Sequence, residues 1–346
     1  MNPIKLHPEI EAALREGKPV VALETAVLTA GLPRTPHPSP DGVESPEWRA
    51  DQPVNLEAVR LMQWQVRAAG AVPAIIAVIR GELRIGVNDE ELDALARDES
   101  AGKVSPSGLA AAMSHYETAG TTVAATLIGC LAPCRRTEDP LPPIRVFATG
   151  GIGGVHRGWS VYPDISADLI ELARSPVCVV CAGAKSILDL PATLEALETL
   201  SVPVLGLGTS WFPQFFTAGG PGLPVGCELA TPQEAADLCR THWQTLGRRE
   251  GVLLTQPVPA EAAMDAIELD ALIESAEWAA TAAGISGPAR TPFLLETLAI
   301  QTEGRTLRAN LSLLAANARA AGEVAVALAD RASTGPFRPG EILPND

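Results

Sequence analysis

Short apolar segments with strand character alternate with segments of helical period along most of this 346-residue chain. The segments "PVVALET" (19–25) and "GVLLTQPVP" (251–259) are typical of buried strands. The segment "NLEAVRLMQWQVRAAG" (55–70) is typical of a helix and ends at Gly70, a residue type favoured after helix C-termini. The alternation predicts an α/β fold, with a chain that is mostly helical from about residue 260 to roughly residue 330.

Two proline-rich segments interrupt the alternation and are predicted to be inserted loops. They are 33–53, which has six prolines and no periodicity, and 133–143. We expect residues 1–331 to form a single α/β catalytic domain and 332–346 to form a loosely held tail. The first insert follows Glu24 closely, so it could act as a lid or alter the pocket.

Composition excludes several classes of function. The net charge of −15 argues against a surface that binds nucleic acid phosphates. The N-terminus lacks the apolar core of a signal peptide, and no uninterrupted apolar segment has transmembrane length. Zinc is an alternative for the paired cysteines, but Cys178 and Cys181 would face opposite sides of a strand, which favours reduced thiols. We expect a cytoplasmic enzyme without nucleic acid or membrane partners.

The segment "CVVCAGAKSILDL" (178–190) places Lys185 just after an apolar strand. The chain has only four lysines against 22 arginines. The pattern predicts that Lys185 starts a helix, where the dipole and partial desolvation would lower the pKa of its amine and make it a nucleophile for carbonyl groups. Arginine cannot do this chemistry. The structural alternative is a lysine whose amine reaches solvent.

Other candidate groups also follow predicted strands. Glu24 ends an apolar strand, where burial would raise its pKa to a value useful for acid–base chemistry. Four glycines within 150–154 let backbone N–H groups approach a ligand, although their spacing is not that of a dinucleotide-binding loop. Asp164 and Asp168 are predicted to share one face of a helix capped by Asp164 or Ser166, where they could hold a divalent metal or serve only as a cap and a solvated acid.

Taken together, the motifs resemble the pseudouridine-5′-phosphate glycosidase family, also described as indigoidine-synthase-A-like proteins. The resemblance covers about residues 5 to 330. It rests on this ordered series: "VVALET", "GAVPAIIAVI", "GKVS", "GTTVAAT", "FATGGIGGVHRG", "DISADLIELA", "VCAGAKSILDL" and "TPFLL". The implied reaction is the reversible conversion of pseudouridine 5′-phosphate and water to uracil and ribose 5-phosphate through a lysine imine.

The resemblance also implies a role for each matching residue. Lys185 matches the imine-forming lysine, Glu24 the acid–base carboxylate and Asp164 a largely water-coordinated manganese ligand. The substrate-binding positions are Lys103, Val123, Ser166, Ala167, Asp168, Thr149, His156 and Asn310, of which Thr149, His156 and Asn310 match the base pocket. The implied assembly is a homotrimer with layered αβα architecture around a mixed central sheet, and the implied ligands are a sugar phosphate, a nucleobase and Mn²⁺ or another divalent ion.

The chain departs from the family pattern at two places. "KVSPSGLA" stands where "KVSRRDLP" is usual, and "AGLP" stands where "HGMP" is usual, so that Ala30 replaces a histidine. These departures keep open a C-ribosyl synthase that joins ribose 5-phosphate to another aromatic or heteroaromatic carbon. A non-catalytic protein that binds a sugar phosphate is the third hypothesis.

Overall fold

The computed structural model describes residues 3–161, 163–285, 287 and 290–330, and the predicted tail at 332–346 lies outside these residues. The described chain contains eleven strands in one sheet. They are β1 (Ile4–Leu6), β2 (Val20–Leu23), β3 (Val72–Ile79), β4 (Glu82–Ile85), β5 (Gly102–Val104), β6 (Ala119–Thr121), β7 (Val146–Ala148), β8 (Cys178–Cys181), β9 (Val204–Leu207), β10 (Cys227–Leu229) and β11 (Val252–Thr255).

Helices connect and cover these strands. The α-helices of the described residues are α1 (Pro8–Glu16), α2 (Val54–Ala68), α3 (Asp89–Arg97), α4 (Pro106–Ser114), α5 (Val123–Leu131), α6 (Ala167–Leu172), α7 (Leu190–Thr199), α8 (Pro232–Arg240), α9 (Ala266–Ala282), α10 (Arg290–Gln301) and α11 (Arg305–Ala329). Single π-helical turns cover Val27–Gly31 and Thr241–Thr245, and a 3₁₀ turn covers Ala132–Arg135. The chain is therefore mostly helical after residue 260, as predicted.

The sheet is mixed, which confirms the predicted fold class. Its order is β1-β4-β3-β2-β7-β8-β11-β9-β10, with β6 paired to β3 and β5 paired to β6. The first half of β3 runs parallel to β2, and its second half runs antiparallel to β4 and β6. From β2 through β7, β8, β11 and β9 to β10 all neighbouring strands are parallel.

The central strands β2, β7, β8 and β11 are buried at every residue. Parallel strands buried in this way need helices over both faces of the sheet. One group of helices has α11 at its centre, packed on β2, β7 and β8 and against α2 and α8. A second group contains α5, which packs on β2, β3 and β4 and has α6 beside it.

Helix α11 is long and apolar enough to cross a membrane by length and composition, the only helix of the described residues with this property. The sequence had predicted no segment of that kind. In the structure, 67% of the most apolar window of α11 is buried inside the protein. Its contacts with three strands and two helices make it a core helix of the fold.

One predicted helix start, at Lys185, is wrong; of the two predicted caps for α6, Ser166 is confirmed, and the predicted helix face shared by Asp164 and Asp168 is wrong. Lys185 does not begin a helix, because the turn after β8 continues to Asp189, whose side chain accepts from the N–H of Ala192 and caps α7. Helix α6 is capped by Ser166, so Asp164 lies outside the helix and shares no helix face with Asp168. In both cases the residues pair through their backbone with the loop after β7, which keeps the segment extended where a helix was predicted.

Several short elements were absent from the sequence prediction. Strands β1, β5, β6 and β10 have three residues each, too few to show a period of two, and α4 has both a proline and a glycine in its first turn, which is typical of a loop. The two segments that were predicted to be inserted loops differ in structure: 133–143 begins in the 3₁₀ turn Ala132–Arg135. Residues 33–53 contain no helix or strand, although Pro36 and Pro53 form one isolated bridge.

The pair β5–β6 offers a matched test of the packing around Glu24. A methyl group at Gly120 would overlap the Thr25 carbonyl oxygen and the Thr29 hydroxyl, whereas one at Gly102 meets no atom within 4 Å. We predict that Gly120→Ala lowers the free energy of unfolding by about 1–3 kcal/mol, as overpacking does. Gly102→Ala should change it by less than about 0.5 kcal/mol. Urea unfolding at constant m-value checks both, and equal effects would contradict this packing.

Candidate active site

A cavity of about 500 Å³ opens at the carboxyl ends of the parallel strands. This is the edge at which α/β sheets bind ligands. Glu24 follows β2, Thr149 follows β7 and Lys185 follows β8, three strands that are neighbours in the sheet. Ten of the eleven predicted site residues line the cavity: Glu24, Lys103, Val123, His156, Asp164, Ser166, Ala167, Asp168, Lys185 and Asn310.

Glu24 is a buried carboxyl group, with 7% of its surface exposed. Burial raises its pKa, and the negative charge of Asp168 raises it further. The positive charges of Lys185 and Lys103 and a hydrogen bond from the Thr149 hydroxyl lower the pKa in opposition. Because burial is the largest effect, the acid form persists to higher pH than in an exposed glutamate.

Thr149 is the predicted site residue that does not line the cavity. It is fully buried, and its hydroxyl donates to the Glu24 carboxylate. The backbone N–H of Thr149 donates to the Val180 carbonyl oxygen at 3.0 Å, which extends the β7–β8 pairing past the end of β7. Thr149 therefore contacts Glu24 and does not face the open part of the cavity.

Lys185 is held by backbone bonds in a strand-like turn. Its N–H donates to the Ile152 carbonyl oxygen at 3.1 Å, and its own carbonyl accepts from the N–H of Leu188 at 3.0 Å. Gly183, two residues earlier, has a φ of +79° and lies against the Pro213 carbonyl oxygen, so only glycine fits there. The half-buried side chain of Lys185 enters the cavity, where its charge acts on Glu24.

Asp168 joins two parts of the cavity wall. One carboxylate oxygen accepts from the N–H of Ala124, in the first turn of α5, at 2.9 Å. The other accepts from the N–H of Gly153 at 2.8 Å. A side chain on Gly153 would overlap Ser166 and approach Asp168, so the glycine-rich loop is needed for this close contact. Two backbone N–H groups thus hold the carboxylate of Asp168. The helical pattern of the sequence did not explain why an acidic residue stands at this position.

Lys103 is positioned at one end of the cavity by β5. The Ser105 and Ser107 hydroxyls lie 3.1 Å apart beside it, and the first turn of α5 contributes Thr122 and Val123. Lys103 keeps contact with solvent through the open cavity. The surrounding protein nevertheless lowers the pKa of its amine by desolvation, and the charge of Lys185 lowers it further. This end offers a cation, hydroxyl groups and a helix N-terminus, which are suited to an anionic group.

His156 and Asp164 form another part of the wall, and both are half-buried. The backbone N–H of His156 donates to the Asp164 carbonyl oxygen at 3.0 Å. Burial lowers the pKa of His156, while the nearby carboxylates of Asp164 and Glu277 oppose that shift. The neutral imidazole that burial favours can donate or accept a hydrogen bond to a polar ring.

The apolar wall contains residues that sequence reasoning missed. Phe215, Pro292, Leu295 and Leu314 line it next to Asn310. Phe215 adopts a φ of +63°, an uncommon backbone conformation for a bulky residue and one that is often found at functional sites. One signal could have found it, because three of the six phenylalanines fall within 212–216. No residue of the insert 33–53 is part of this wall, so the candidate lid does not cover the cavity.

The donors present fit only a weakly held metal ion. Across the part of the chain that the structure describes, no three His, Cys, Asp or Glu side chains gather as they would around a caged ion. The carboxylate of Asp168 is occupied by backbone N–H groups. Asp164 could therefore supply one oxygen to an ion that keeps its remaining ligands as water, as Mg²⁺-like ions often do.

Comparison with known proteins shows the family of the chain. The family profile described as "Indigoidine synthase A like protein" matches residues 49–327. The chain belongs to the indigoidine synthase A-like family. A pseudouridine-5′-phosphate glycosidase of Methylobacterium nodulans is 46% identical over 329 residues, which are 95% of this chain and 89% of that relative. A second, from Gemmatimonas aurantiaca, is 46% identical and covers 92% of this chain and 94% of its own length.

Solved structures of this family share the fold. The prealnumycin C-glycosynthase AlnA, crystallised in complex with ribulose 5-phosphate, superposes with a TM-score of 0.79 and 34% identity, covering 94% of this chain and 97% of that one. An indigoidine synthase A-like protein of Thermotoga maritima gives a TM-score of 0.77 at 34% identity, with 94% and 96% covered. The predicted family and the mixed α/β architecture are therefore confirmed.

The link through Asp168 can be tested by a pair of isosteric substitutions. Asp168→Asn replaces one acceptor oxygen by an NH₂ group that faces a backbone N–H, so one buried donor is left unpaired. We expect the free energy of unfolding to fall by about 1–3 kcal/mol. Asp164→Asn makes the same chemical change in the same cavity and should cost less than about 0.5 kcal/mol in metal-free buffer. Chemical denaturation of both variants measures the difference, and equal losses would refute the link.

Proposed function

We propose that this protein is a pseudouridine-5′-phosphate glycosidase, which cleaves the carbon–carbon glycosidic bond to release uracil and ribose 5-phosphate. One observation carries the proposal: a buried carboxyl group and a lysine amine act on each other in a single cavity at the ends of neighbouring strands. A carbon leaving group has no lone pair to protonate, so an amine that forms an imine with C1 is the chemistry that this bond requires. Relatives named for this activity are 43–46% identical to the chain.

The first step uses Glu24 as an acid and Lys185 as a nucleophile. The neutral amine of Lys185 bonds to C1 of the sugar while the bond between C1 and the ring oxygen breaks. The Glu24 carboxyl donates its proton to that oxygen, and the raised pKa of Glu24 keeps the acid form available. The nitrogen then returns one proton to Glu24, which leaves a neutral secondary amine on C1.

The second step breaks the carbon–carbon bond. A proton from Glu24 adds to C5 of the base, and the nitrogen lone pair forms a double bond to C1 as the C1–C5 electron pair returns to the base. Uracil leaves neutral, and the positive charge remains on the iminium nitrogen of Lys185. Water then adds to C1 and gives one proton to the Glu24 carboxylate, which restores the acid. The second proton of the water passes to the nitrogen as the C1–N bond breaks, so that the aldehyde of ribose 5-phosphate and the free amine are released. The positive charge of Lys103 acts on Glu24 and favours the carboxylate that forms within each step, when Glu24 has given up its proton.

The remaining cavity residues are assigned by their chemistry. Lys103, Ser166 and Ala167, with the first turn of α5 at Val123, suit the sugar phosphate. Asp168 holds both backbone segments of that end in place. His156 and Asn310 suit the polar edge of uracil, and the apolar wall around Phe215 and Leu314 suits its faces. Thr149 acts on the base pocket through Glu24, to which its hydroxyl donates.

Asp164 is the residue that we propose for Mn²⁺ or another divalent ion. A hydrated ion bound there would supply positive charge and ordered water at the cavity wall. The proposed protomer assembles as a homotrimer in the cytoplasm. The metal ion, the homotrimer and the cytoplasmic location stay predictions that rest on the family resemblance.

The structural similarity to a C-glycosynthase supports a second candidate, a C-ribosyl synthase that joins ribose 5-phosphate to another aromatic carbon. The same amine and carboxyl would serve, because the two reactions run through the same iminium in opposite directions. The two candidates differ in the base. Release of uracil from pseudouridine 5′-phosphate favours the glycosidase, and its absence at high enzyme concentration would favour the synthase.

Substitution of Lys185 tests the proposed chemistry. Lys185→Arg keeps a positive charge, but its guanidinium stays protonated and cannot form an imine. We predict that Lys185→Arg and Lys185→Ala both lose at least about 10³-fold in the rate of uracil release, as enzymes do without their nucleophile. Lys18→Arg, an exposed position, should retain the full rate. Substantial turnover by Lys185→Arg would exclude the imine route.

Substitution of Asp164 tests the metal assignment. We predict that added Mn²⁺ stimulates uracil release by the unmodified protein but not by Asp164→Asn, since no three His, Cys, Asp or Glu side chains of the described residues gather into an alternative site for the ion. The chelated proteins, compared with and without the ion, give the measurement. Equal stimulation of both proteins would place the ion elsewhere.

A further inference from the structure

A pair of amide side chains, Asn317 buried and Gln256 half-buried, lies behind the carboxyl end of β7. Asn317 of α11 is 1% exposed, and its Nδ2 donates to the carbonyl oxygens of Thr149 at 2.8 Å and Gly150 at 3.3 Å. Its Oδ1 accepts from Nε2 of Gln256 at 2.9 Å. Gln256 follows β11 directly, and its backbone N–H donates to the Cys181 carbonyl oxygen. The pair therefore ties α11 to the exits of three strands.

Thr149 links this amide pair to the acidic group. Its carbonyl oxygen accepts from Asn317, and its hydroxyl donates to Glu24. Both atoms belong to one fully buried residue whose β-branched side chain has restricted χ1 rotation, so a shift of its backbone also moves its hydroxyl. A short chain of hydrogen bonds thus runs from Gln256 through Asn317 and Thr149 to the Glu24 carboxylate.

The same face of α11 also forms part of the cavity wall. Asn310, Leu314 and Asn317 are spaced by four and three residues, which places them on one side of the helix. Asn310 and Leu314 line the cavity, and Asn317 lies behind it. One rigid helix therefore carries both a proposed contact to the base and the support for the acid.

We infer that Asn317 is a positioning residue that holds Thr149 so that its hydroxyl remains bonded to Glu24, with Gln256 fixing the orientation of the Asn317 amide. Its part in the reaction rests on the proposed function of Glu24. A merely structural asparagine would affect stability alone. A positioning residue also changes the ionisation of Glu24, because loss of the Thr149 donor disfavours the carboxylate.

Within the part of the chain that the structure describes, the charged groups around Glu24 form no hydrogen bond with Asn317, so a change in the ionisation of Glu24 can be attributed to Thr149. Lys185, Lys103 and Asp168 act on Glu24 electrostatically, and Thr149 is the side chain that donates a hydrogen bond to it. None of the three charged groups is hydrogen-bonded to Asn317 in the described structure, whose side-chain partners are Thr149, Gly150 and Gln256. A shift in the titration of Glu24 on substitution of Asn317 therefore reports the link through Thr149.

The experiment is a carbon-13 NMR titration of protein labelled at the glutamate side-chain carboxyl. The Glu24 resonance is assigned by its absence from Glu24→Gln. In Thr149→Val and in Asn317→Leu, the midpoint of Glu24 should rise by about half to one pH unit, the equivalent of one hydrogen bond. In the double variant it should rise no further than in Thr149→Val, because both substitutions remove the same bond.

A matched control separates positioning from stability. Asn55 is another fully buried asparagine whose Nδ2 donates to two carbonyl oxygens, those of Leu28 and Ala96. Asn55→Leu should lower the melting temperature and leave the Glu24 midpoint unchanged. Should Asn317→Leu fail to fold, Gln256→Leu removes only the partner of the Asn317 amide and should raise the midpoint in the same direction.

The outcomes distinguish this inference from the proposed function. An unchanged Glu24 midpoint in folded Asn317→Leu or Gln256→Leu would overturn the positioning role, even with uracil release intact in the unmodified protein. A raised midpoint in a protein that releases no uracil would retain the hydrogen-bonded chain and reject the glycosidase. If both hold, Asn317→Leu should lower kcat by about tenfold, the kinetic equivalent of one hydrogen bond, with little change in KM.

Discussion

The burial of one carboxyl group beside an amine is the constraint on which this active site depends. Glu24 leaves β2 inside the protein, where its negative form is disfavoured unless positive charge and a hydrogen-bond donor are close. Lys185 and Thr149 leave the adjacent strands and supply both. The parallel order of β2, β7 and β8 brings the three residues to the same edge of the sheet, so the sheet topology is itself the cause of the site.

Other buried polar residues fix the backbone segments that surround this edge of the sheet. Asp168 joins the first turn of α5 to the glycine-rich loop, which requires the close approach that only glycine at position 153 allows. On the other side, α11 supports the end of β7 through Asn317. Each support is a buried, fully hydrogen-bonded polar group, and such networks define a unique geometry because any partial loss leaves unpaired atoms.

The sequence predicted the parts of the structure that repeat a pattern. Long strands, helices and the residues that follow strands could be placed, because apolar periodicity and strand ends carry most of the signal. The three-residue strands β5 and β6 could not, although they position Lys103, since a period of two is not visible in three residues. A helix start at Lys185 and a helix face shared by Asp164 and Asp168 were predicted wrongly, because the bridges between the loops after β7 and β8 are tertiary contacts.

Side-chain partners were the least predictable part of the site. Nothing in the sequence indicates that both oxygens of Asp168 accept backbone N–H groups, or that Thr149 donates to a residue 125 positions away. The insert at 33–53 is close to Glu24 in sequence, yet it packs on α2, where Gln65 donates to the Glu44 carbonyl oxygen. Family resemblance supplied the residue roles, and the structure adds the contacts through which those residues act.

Reductive trapping tests the central claim most directly. The protein would be incubated with ribose 5-phosphate, reduced with borohydride and mapped by peptide mass spectrometry. The account predicts a mass gain equal to the sugar phosphate less one oxygen atom, located on Lys185 and absent from the other three lysines. An unmodified Lys185, with the protein still folded and ribose 5-phosphate bound, would contradict the imine and leave a cavity that binds a sugar phosphate without that chemistry.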